Sequence, residues 1–376
     1  MSLTFPVGEF QDRLARAQAA MDKAGLGAIL LTTEPEFRYF SGFLTRFWES
    51  PSRPWFLVIP VSGAPVAVIP SIGEVLMRRT WVTDIRTWAA PDPVDDGVTL
   101  LADTLREVAG PVGVPSGAEM PLRMPLRDYA RVQTLCGQSF RDDAGIVSGL
   151  RAIKSEAEVA RIKTTCGVAN RAFDRMGEIA REGEPISSVF RGFQRLLLEE
   201  GADWVPYISG GAGPDGYDDV ISPASDAPLR AGDVMMLDTG AVVDGYFCDF
   251  DRNFAITCAS DVARHAHAQL IEATHAAFEA VRPGARACDV FAAMEAITGG
   301  GEGAGRLGHG LGMQLTEGLS LSARDHSEIK PGMVLTLEPG IETTPGRLMV
   351  HEENIVVREA GNERLSRFAG PELPVI

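Results

Sequence analysis

The sequence has little lysine and no long apolar run. Four of its 35 basic residues are lysine, and acidic residues outnumber basic ones enough to give a formal net charge of −16. A surface of that sign repels polyanions, which argues against nucleic acid or an anionic membrane surface as the main partner. No stretch approaches the roughly 18 consecutive apolar residues that a transmembrane helix requires, so we expect no membrane span.

Paired cysteines are also missing. The five cysteines are scattered along the chain without any CxxC spacing, at positions 136, 166, 248, 258 and 288. This odd set predicts reduced thiols and argues against a disulfide framework or a thiolate zinc site. The first residues, MSLTFPVGEF, lack the basic start and apolar run of a secretory signal, so we expect a cytoplasmic protein.

The chain is long enough for two domains, with 376 residues of which 45% are hydrophobic. Up to Gly149, helical and extended apolar patterns alternate, which predicts an α/β domain over residues 1–149. The predicted elements are helices Phe10–Ala24, Val98–Ala109 and Leu126–Leu135 and strands Ala28–Leu31, Trp55–Pro60, Pro65–Pro70 and Val112–Val114.

Residues 150–376 form the second predicted domain. It opens on a helix whose S-x-x-E capping box is Ser155 and Glu158. The stretch Ser209–Pro228, rich in Gly, Asp and Pro, predicts a long ordered loop without regular structure. The other predicted elements are helices Ile186–Glu200, Asp261–Val281 and Cys288–Ile297 and strands Met333–Pro339 and Met349–Val357.

Carboxylates recur where strands end in this second domain. Asp238 closes an apolar strand, and Asp249 follows the turn signal Asp244-Gly245. A two-residue hairpin loop at this turn places Asp238, Asp249 and Asp251 on one face of the sheet. Carboxylates on one buried face repel each other and raise each other's pKa, and a bound divalent cation removes that cost.

Three further residues complete a candidate set of metal ligands. His309 lies in the glycine-flanked segment GHGLG, Glu338 lies in LEPG, and Glu353 lies in HEEN. Period-two alternation along Met349–Val357 places His351 and Glu353 on one face. Four carboxylates and one imidazole form a hard donor set that suits two divalent transition-metal ions, Mn, Fe, Co or Zn, which can hold a bridging hydroxide as nucleophile.

These segments resemble the pita-bread metallohydrolases, which include methionine aminopeptidase, prolidase, prolyl aminopeptidase and creatinase. The piece EPEFRYFSGF is similar to the entry of a creatinase-type N-terminal domain, and LRAIKS is similar to the start of the catalytic domain. The resemblance implies an α/β two-domain fold, with a creatinase-type N-terminal α/β domain and a pita-bread (α+β) catalytic domain. It implies metal ligands at Asp238, Asp249, His309, Glu338 and Glu353, with Asp249 and Glu353 bridging the two ions.

The chain departs from the prolyl peptidases of this family at their substrate-handling positions. Counting from the metal segments places Ile221 and Thr316 where those enzymes have histidines and His351 where they have an arginine. Those groups stabilise developing charge, so their replacement argues against a prolyl peptidase. We therefore predict a two-metal hydrolase that cleaves a C–N bond of a small non-peptide amino-acid derivative. Glu338 shuttles the proton, and Glu317 is a second candidate for that role.

Several assignments keep two interpretations. His351 either orients a neighbouring glutamate or contacts substrate in place of the arginine, and Asp218 is either a solvated turn residue or selects a cationic substrate. The resemblance implies a homodimer in which the N-domain loop Phe43–Trp55 lies near the partner's active site. Arg46 and Arg53 of this loop either seal that interface or bind a substrate carboxylate.

Other function classes remain as alternatives. An Xaa-Pro dipeptidase or aminopeptidase is one, and a lyase that cleaves dimethylsulfoniopropionate on the same fold is another. The lyase branch has an additional aspartate two residues after the first metal aspartate, where this chain has Gly240. A binding module that has lost its metals is the third, and the complete ligand set argues against it.

Overall fold

The chain divides into two compact units. The computed structural model describes residues 4–49, 53–300 and 305–376. The units are Met1–Arg151 and Ala152–Ile376, so the division falls two residues after the predicted boundary at Gly149. No described helix is long and apolar enough to cross a membrane.

Helices and strands alternate along the first unit, as the sequence predicts. The described helices of the two units are α1 (Val7–Ala24), α2 (Glu34–Ser41), α3 (Glu74–Met77), α4 (Val98–Arg106), α5 (Leu126–Cys136), α6 (Ile146–Ala152), α7 (Glu156–Asp174), α8 (Ile186–Glu199), α9 (Asp261–Ala280) and α10 (Ala287–Thr298). Short 3₁₀ turns cover Arg46–Glu49, Ser71–Gly73 and Met176–Glu178. The helix α7 begins at the predicted capping box, because the Ser155 hydroxyl accepts the Glu158 N–H and the Glu158 carboxylate accepts the Ser155 N–H.

The described strands are short, and those of the second unit form several small sheets. In the first unit they are β1 (Ala28–Leu31), β2 (Phe56–Pro60), β3 (Val66–Pro70), β4 (Asp84–Trp88), β5 (Val112–Val114) and β6 (Phe140–Asp142). In the second they are β7 (Ile208–Pro214), β8 (Asp233–Thr239), β9 (Val242–Val243), β10 (Tyr246–Phe247), β11 (Phe250–Ala255), β12 (Arg306–His309), β13 (Ser320–Ser322), β14 (Val334–Leu337), β15 (Gly340–Thr344), β16 (Arg347–Val350), β17 (Glu353–Val356) and β18 (Glu363–Arg364).

The first unit is built on one mixed sheet. Within its described residues the strand order is β4-β3-β2-β1-β5-β6, with antiparallel pairing among β1, β2 and β3 and parallel pairing elsewhere. Apolar strand residues such as Leu30, Phe56 and Val58 pack with Leu101 and Leu105 of α4 in one core. Edge strand β4 was not predicted, because its sequence DIRTW has only a weak apolar pattern.

Strand β7 corrects the prediction of an irregular loop over Ser209–Pro228. The strand pairs with β8 from Ile208 opposite Thr239 to Pro214 opposite Asp233. Its glycines allow a close approach of the two backbones, since a Cβ at Gly210 would lie 2.1 Å from the Met236 carbonyl oxygen. A strand that depends on glycine for this contact lacks the apolar alternation by which strands are recognised in a sequence.

The predicted strand Met349–Val357 is two strands in the structure. β16 pairs with β15, where Gly340 faces Val350, whereas β17 pairs with β14, where Leu337 faces Glu353. The two-residue segments 338–339 and 351–352 lie opposite each other in the gap, joined by a hydrogen bond from the His351 N–H to the Pro339 carbonyl at 3.0 Å. The strand therefore changes its pairing partner at residues 351–352.

Candidate metal centre

Acidic side chains and one histidine from several strand ends meet at one place in the second unit. Asp238 lies near the end of β8, Asp249 directly precedes β11, and His309 ends β12. Glu338 and Glu352 come from the two facing segments that interrupt the last strands. Two groups have ligand atoms within 4.8 Å of one another, Asp249 with His309 and Glu338, and Asp238 with Asp249 and Glu352. Asp249 belongs to both groups, so its carboxylate can bridge two cations.

The backbone around His309 fixes the direction of its imidazole. Its N–H donates to the Thr336 hydroxyl at 2.9 Å, and its Nδ1 lies 2.9 Å from the Gly310 carbonyl oxygen. A carbonyl can only accept, so Nδ1 carries a proton and Nε2 is the ring nitrogen that faces the acidic groups. Nε2 lies 2.9 Å from Glu338 Oε1 and 3.2 Å from Asp249 Oδ2.

The buried carboxylates destabilise one another's charge. Burial, together with the charges of Asp249 and Asp251, raises the pKa of Asp238 well above its usual range. Burial likewise raises the pKa of Asp249 to about 6, and burial with the charge of Asp238 raises that of Glu352. Asp238 Oδ1 and Glu352 Oε2 are buried and accept no hydrogen bond from the described residues. Orphaned oxygens in such a donor set fit divalent cations.

Glu338 and His309 form the other end of the centre. Burial alone lowers the pKa of His309, but the Glu338 and Asp249 carboxylates raise it well above its usual value. Burial raises the pKa of Glu338, and the His309 charge and the hydrogen bonds from His309 and Thr336 lower it below the ordinary value. Glu338 therefore stays ionised, and a cation bound at this position would take the place of the His309 proton.

The geometry favours Glu352 over the predicted Glu353 as a metal ligand. Glu353 Oε2 accepts from Arg252 Nη2 at 3.1 Å and from the Ser366 hydroxyl, and its Oε1 accepts from the Ala369 N–H at 2.7 Å. These bonds hold the carboxylate inside the fold, and the group of acidic residues contains Glu352 instead. Successive residues of an extended chain point to opposite sides, so Glu352 and Glu353 cannot both face the acidic groups.

The same one-residue shift, from Glu353 to Glu352, changes the interpretation of His351. Its side chain is 1% exposed and lies between two carboxylates, with Nδ1 3.2 Å from Asp251 Oδ1 and Nε2 3.2 Å from Glu353 Oε1. This enclosed position favours the orienting role of His351 over its predicted catalytic role. Counted from Glu352, the position that carries the prolyl-peptidase arginine is Val350. Asp251 Oδ1 also accepts the Glu352 N–H at 3.0 Å, which fixes the backbone of that ligand.

Glu317 forms an ion pair with Lys154 and does not belong to either acidic group of the candidate metal centre. Its Oε1 lies 2.7 Å from Lys154 Nζ, and both side chains are buried. Glu317 belongs to neither acidic group, and a Cβ at Gly312 would lie 2.1 Å from its carboxylate. The ion pair therefore holds the loop that follows His309, and breaking such a buried pair costs about 3–5 kcal/mol. The geometry does not support Glu317 as a proton shuttle.

The predicted substrate residues of the second unit have varied surroundings. The Thr316 hydroxyl accepts from Arg306 Nη2 at 3.1 Å, Ile221 is 82% exposed, and the Asp218 carboxylate lies 3.7 Å from Arg347. Sequence reasoning missed Arg306, which adjoins the metal histidine segment. It also missed Tyr207, whose pKa is raised by burial and by the neighbouring Asp238 carboxylate. No motif marks either residue.

The two N-terminal arginines considered as substrate ligands, Arg46 and Arg53, belong to the aromatic loop Phe43–Trp55. Arg46 is exposed and opens a 3₁₀ turn, whereas the Arg53 guanidinium lies 5.1 Å from the centre of the Phe47 ring. Residues 50–52 of the predicted loop lie outside the described residues. The homodimer and the contribution of this loop to a partner's site stay predictions.

Comparison with known families agrees with both halves of the fold. The family described as "Metallopeptidase family M24" matches residues 160–359, more than half of the chain, and the "Creatinase/Prolidase N-terminal domain" matches residues 13–153. The chain belongs to metallopeptidase family M24. It has the two-domain fold of creatinase and prolidase with a pita-bread catalytic domain, and it is a metal-dependent hydrolase of this family, as predicted.

Individual relatives are similar over nearly the whole length of this M24 protein. A probable dipeptidase PepE from Mycobacterium tuberculosis is 29% identical over 368 residues, 95% of this chain and 94% of the relative. An Xaa-Pro dipeptidase from Pyrococcus horikoshii is 24% identical over 353 residues, 92% and 94% of the two chains. The crystal structure of dipeptidase PepE from Mycobacterium ulcerans superposes with a TM-score of 0.83 at 27% identity and covers 99% of each chain.

Glutamine variants of the two adjacent glutamates test which one binds metal. We expect the Mn-reconstituted wild type to hold about two ions per chain and Glu352→Gln to hold about one or fewer, because the amide side chain offers no anionic oxygen. Glu353→Gln keeps the wild-type stoichiometry. Elemental analysis of protein with an unchanged circular dichroism spectrum measures this. Glu353→Asp retains the charge opposite Arg252 if the glutamine variant folds poorly, and loss of metal in the 353 variants alone would contradict the assignment.

The raised pKa values predict the pH dependence of the metal-free protein. A carboxyl whose pKa is higher in the folded than in the unfolded state contributes stability below the unfolded value, and this is lost as the pH rises through the folded value. For Asp249 that loss extends through about 6. We expect the melting temperature of chelated protein to fall as the pH rises from about 4 to about 6, and Asp249→Asn to flatten this fall. Equal slopes in both proteins would contradict the electrostatic account.

Proposed function

We propose that this M24 protein hydrolyses the C–N bond of a small amide-type amino-acid derivative with two divalent cations. Five side chains would hold the ions, Asp238, Asp249, His309, Glu338 and Glu352. The observation that carries the proposal is that two acidic groups share Asp249. Oxygen donors with a single imidazole suit Mn, Fe, Co or Zn. When bound, such cations lower the pKa of water and polarise a carbonyl.

Glu338 is the residue of this site best placed to move a proton. Its carboxylate is 15% exposed, accepts from the Thr336 hydroxyl, and is kept ionised by the neighbouring imidazole although burial opposes this. It takes the proton that water loses as the oxygen attacks the amide carbon. It then returns that proton to the nitrogen as the C–N bond breaks.

The surroundings of the centre support a substrate other than a prolyl peptide. Ile221 cannot donate a hydrogen bond from its side chain, and the Thr316 hydroxyl already accepts from Arg306. Neither replaces a histidine that stabilises developing charge. Lyase chemistry that requires an aspartate at position 240 is also disfavoured, because this chain has Gly240 there.

Hydrolysis of Xaa-Pro dipeptides is the second candidate. It is supported by the name of the Pyrococcus horikoshii relative, which matches along 92% of this chain. Ile221 and Thr316, which stand where prolyl peptidases have histidines, argue against this candidate. The two candidates differ in the substrate and not in the metal centre, so kinetic measurements distinguish them.

A substrate panel tests the proposal. We expect kcat/KM on Xaa-Pro dipeptides to stay below about 10⁴ M⁻¹s⁻¹ with Mn-loaded protein, and at least one small amide, such as an N-acyl amino acid, to be cleaved faster. Glu338→Gln, at matched metal content, should reduce any true turnover by about 10²-fold, since it removes the proton acceptor.

A double variant tested on the same substrates restores the two histidines that prolyl peptidases have at positions 221 and 316. Ile221→His combined with Thr316→His should raise activity on Xaa-Pro dipeptides if these positions limit it. Efficient cleavage of such dipeptides by the wild type would instead establish the second candidate. Turnover that is unaffected by Glu338→Gln would remove Glu338 from the chemistry and leave it a ligand.

A further inference from the structure

Cys288 and His326 form a thiol–imidazole pair outside the candidate metal centre. The Cys288 sulfur lies 3.3 Å from His326 Nδ1, close enough for the two atoms to share a proton. The residues come from separate segments, since Cys288 lies in the first turn of α10 and His326 lies four residues after the end of β13. Neither belongs to the acidic groups of the metal centre.

The backbone holds the two side chains next to each other. The Cys288 N–H donates to the Asp325 carbonyl at 2.8 Å, and the Ala287 N–H donates to the Ser327 carbonyl at 3.0 Å. These two bonds flank His326, so the segment that carries the imidazole is fastened across the start of α10. The contact between sulfur and imidazole is therefore supported by backbone pairing on both sides.

A carboxylate lies within electrostatic reach of the imidazole. The Asp325 carboxylate accepts the N–H groups of Ser320 and Ser327, each at 2.8 Å, and these bonds fix its position. Burial raises the pKa of Asp325, but the hydrogen bonds and the charge of His326 lower it below its ordinary value. A nucleophile, a base and a charged group beside the base are thus adjacent, which is the arrangement by which proteins activate a thiol.

Asp289 also contacts the sulfur, but it is a weaker base than an imidazole. Its Oδ1 lies 3.9 Å from the Cys288 sulfur, within reach of a long hydrogen bond. Hydrogen bonds from Arg286, through Nε at 3.2 Å and Nη2 at 2.7 Å, lower the pKa of Asp289. That carboxylate stays ionised without taking a proton, so His326 is the neighbour that accepts one from the thiol.

Solvent reaches this thiol, whereas most thiols of the chain are enclosed. The buried cysteines are Cys136, Cys166 and Cys248. Cys288 is partly exposed, and both Cys258 and His326 are exposed. Among the described residues, no imidazole contacts the Cys258 sulfur, so Cys258 provides a comparison within the same protein.

We propose that Cys288, with His326 as its base, is a site of covalent modification by small disulfides. His326 takes the thiol proton as the Cys288 sulfur attacks one sulfur of the disulfide. The S–S bond of the reagent breaks as the new one forms, and the imidazolium returns the proton to the departing thiolate. One thiol and one disulfide thus give one mixed disulfide and one thiol, without a further oxidant. The inference is separate from the proposed hydrolysis, since it uses none of the proposed metal ligands.

Reaction of the Mn-loaded protein with hydroxyethyl disulfide tests this inference. The reagent is uncharged, so neighbouring charges do not attract it. We expect Cys288 to react at least about tenfold faster than Cys258, because an isolated thiol is only a few per cent ionised at neutral pH and a base removes that limit. Exposure alone would favour Cys258. Peptide mapping by mass spectrometry at successive times measures both rates in the same sample.

Histidine variants separate the role of the base from that of the surroundings. His326→Gln should lower the Cys288 rate to about that of Cys258 and leave the Cys258 rate unchanged, with His326→Asn in its place if the glutamine variant folds poorly. His265→Gln removes an exposed imidazole from α9 of the same unit and should leave both rates unchanged. A wild-type Cys288 that reacts no faster than Cys258, or a fast Cys288 reaction that survives loss of the His326 imidazole, would overturn the inference.

Discussion

Repulsion among the carboxylates of Asp238, Asp249, Glu338 and Glu352 is the constraint on which the candidate metal centre depends. Their pKa values respond to one another and to burial, and two of their oxygens lack a hydrogen-bond donor among the described residues. Cations resolve this conflict, so the sheets around them must hold the acids close together against their own repulsion. The fold meets that requirement with short strands that end at the centre.

A second layer of charge keeps the ligands in position. Asp251 accepts the backbone N–H of Glu352, while His351 lies between Asp251 and Glu353. Arg252 completes the set through its bond to Glu353. An acid, an imidazole, an acid and a guanidinium alternate, which lets their charges compensate within the interior. These contacts give His351 and Glu353 of the segment HEEN a structural role beside the proposed ligand Glu352.

Most of the architecture could be predicted from the sequence because its signals are local. The Ser155 capping box, the strand Ala28–Leu31 and the Asp244-Gly245 turn each depend on a few adjacent residues, and each lies where the pattern indicated. Four of the five residues proposed as ligands were identified in the same way, from short motifs. Strand β7 was not, since glycines that serve close backbone contact carry no apolar pattern.

Sequence reasoning could not predict the irregularities between regular elements. Choosing Glu353 depended on how the segment HEEN is matched to the family: His351 and Glu353 do share a face, but their side chains contact Asp251 and Arg252, whereas Glu352 lies with the acidic groups. Arg306 was missed for a different reason. Regular alternation places it opposite His309, whereas the bulge at Gly308 returns it to the same face. The bulge is made by tertiary pairing and leaves no periodic trace in the sequence.

Anomalous diffraction from crystals of the Mn-reconstituted protein tests the central claim most directly. The account predicts two peaks per chain, separated by roughly 3.5–4 Å as in other two-metal centres. One peak should be ligated by Asp238, Asp249 and Glu352, and the other by Asp249, His309 and Glu338. Coordination by the carboxylate of Glu353, or a single ion that leaves Asp238 and Glu352 without a cation, would contradict it.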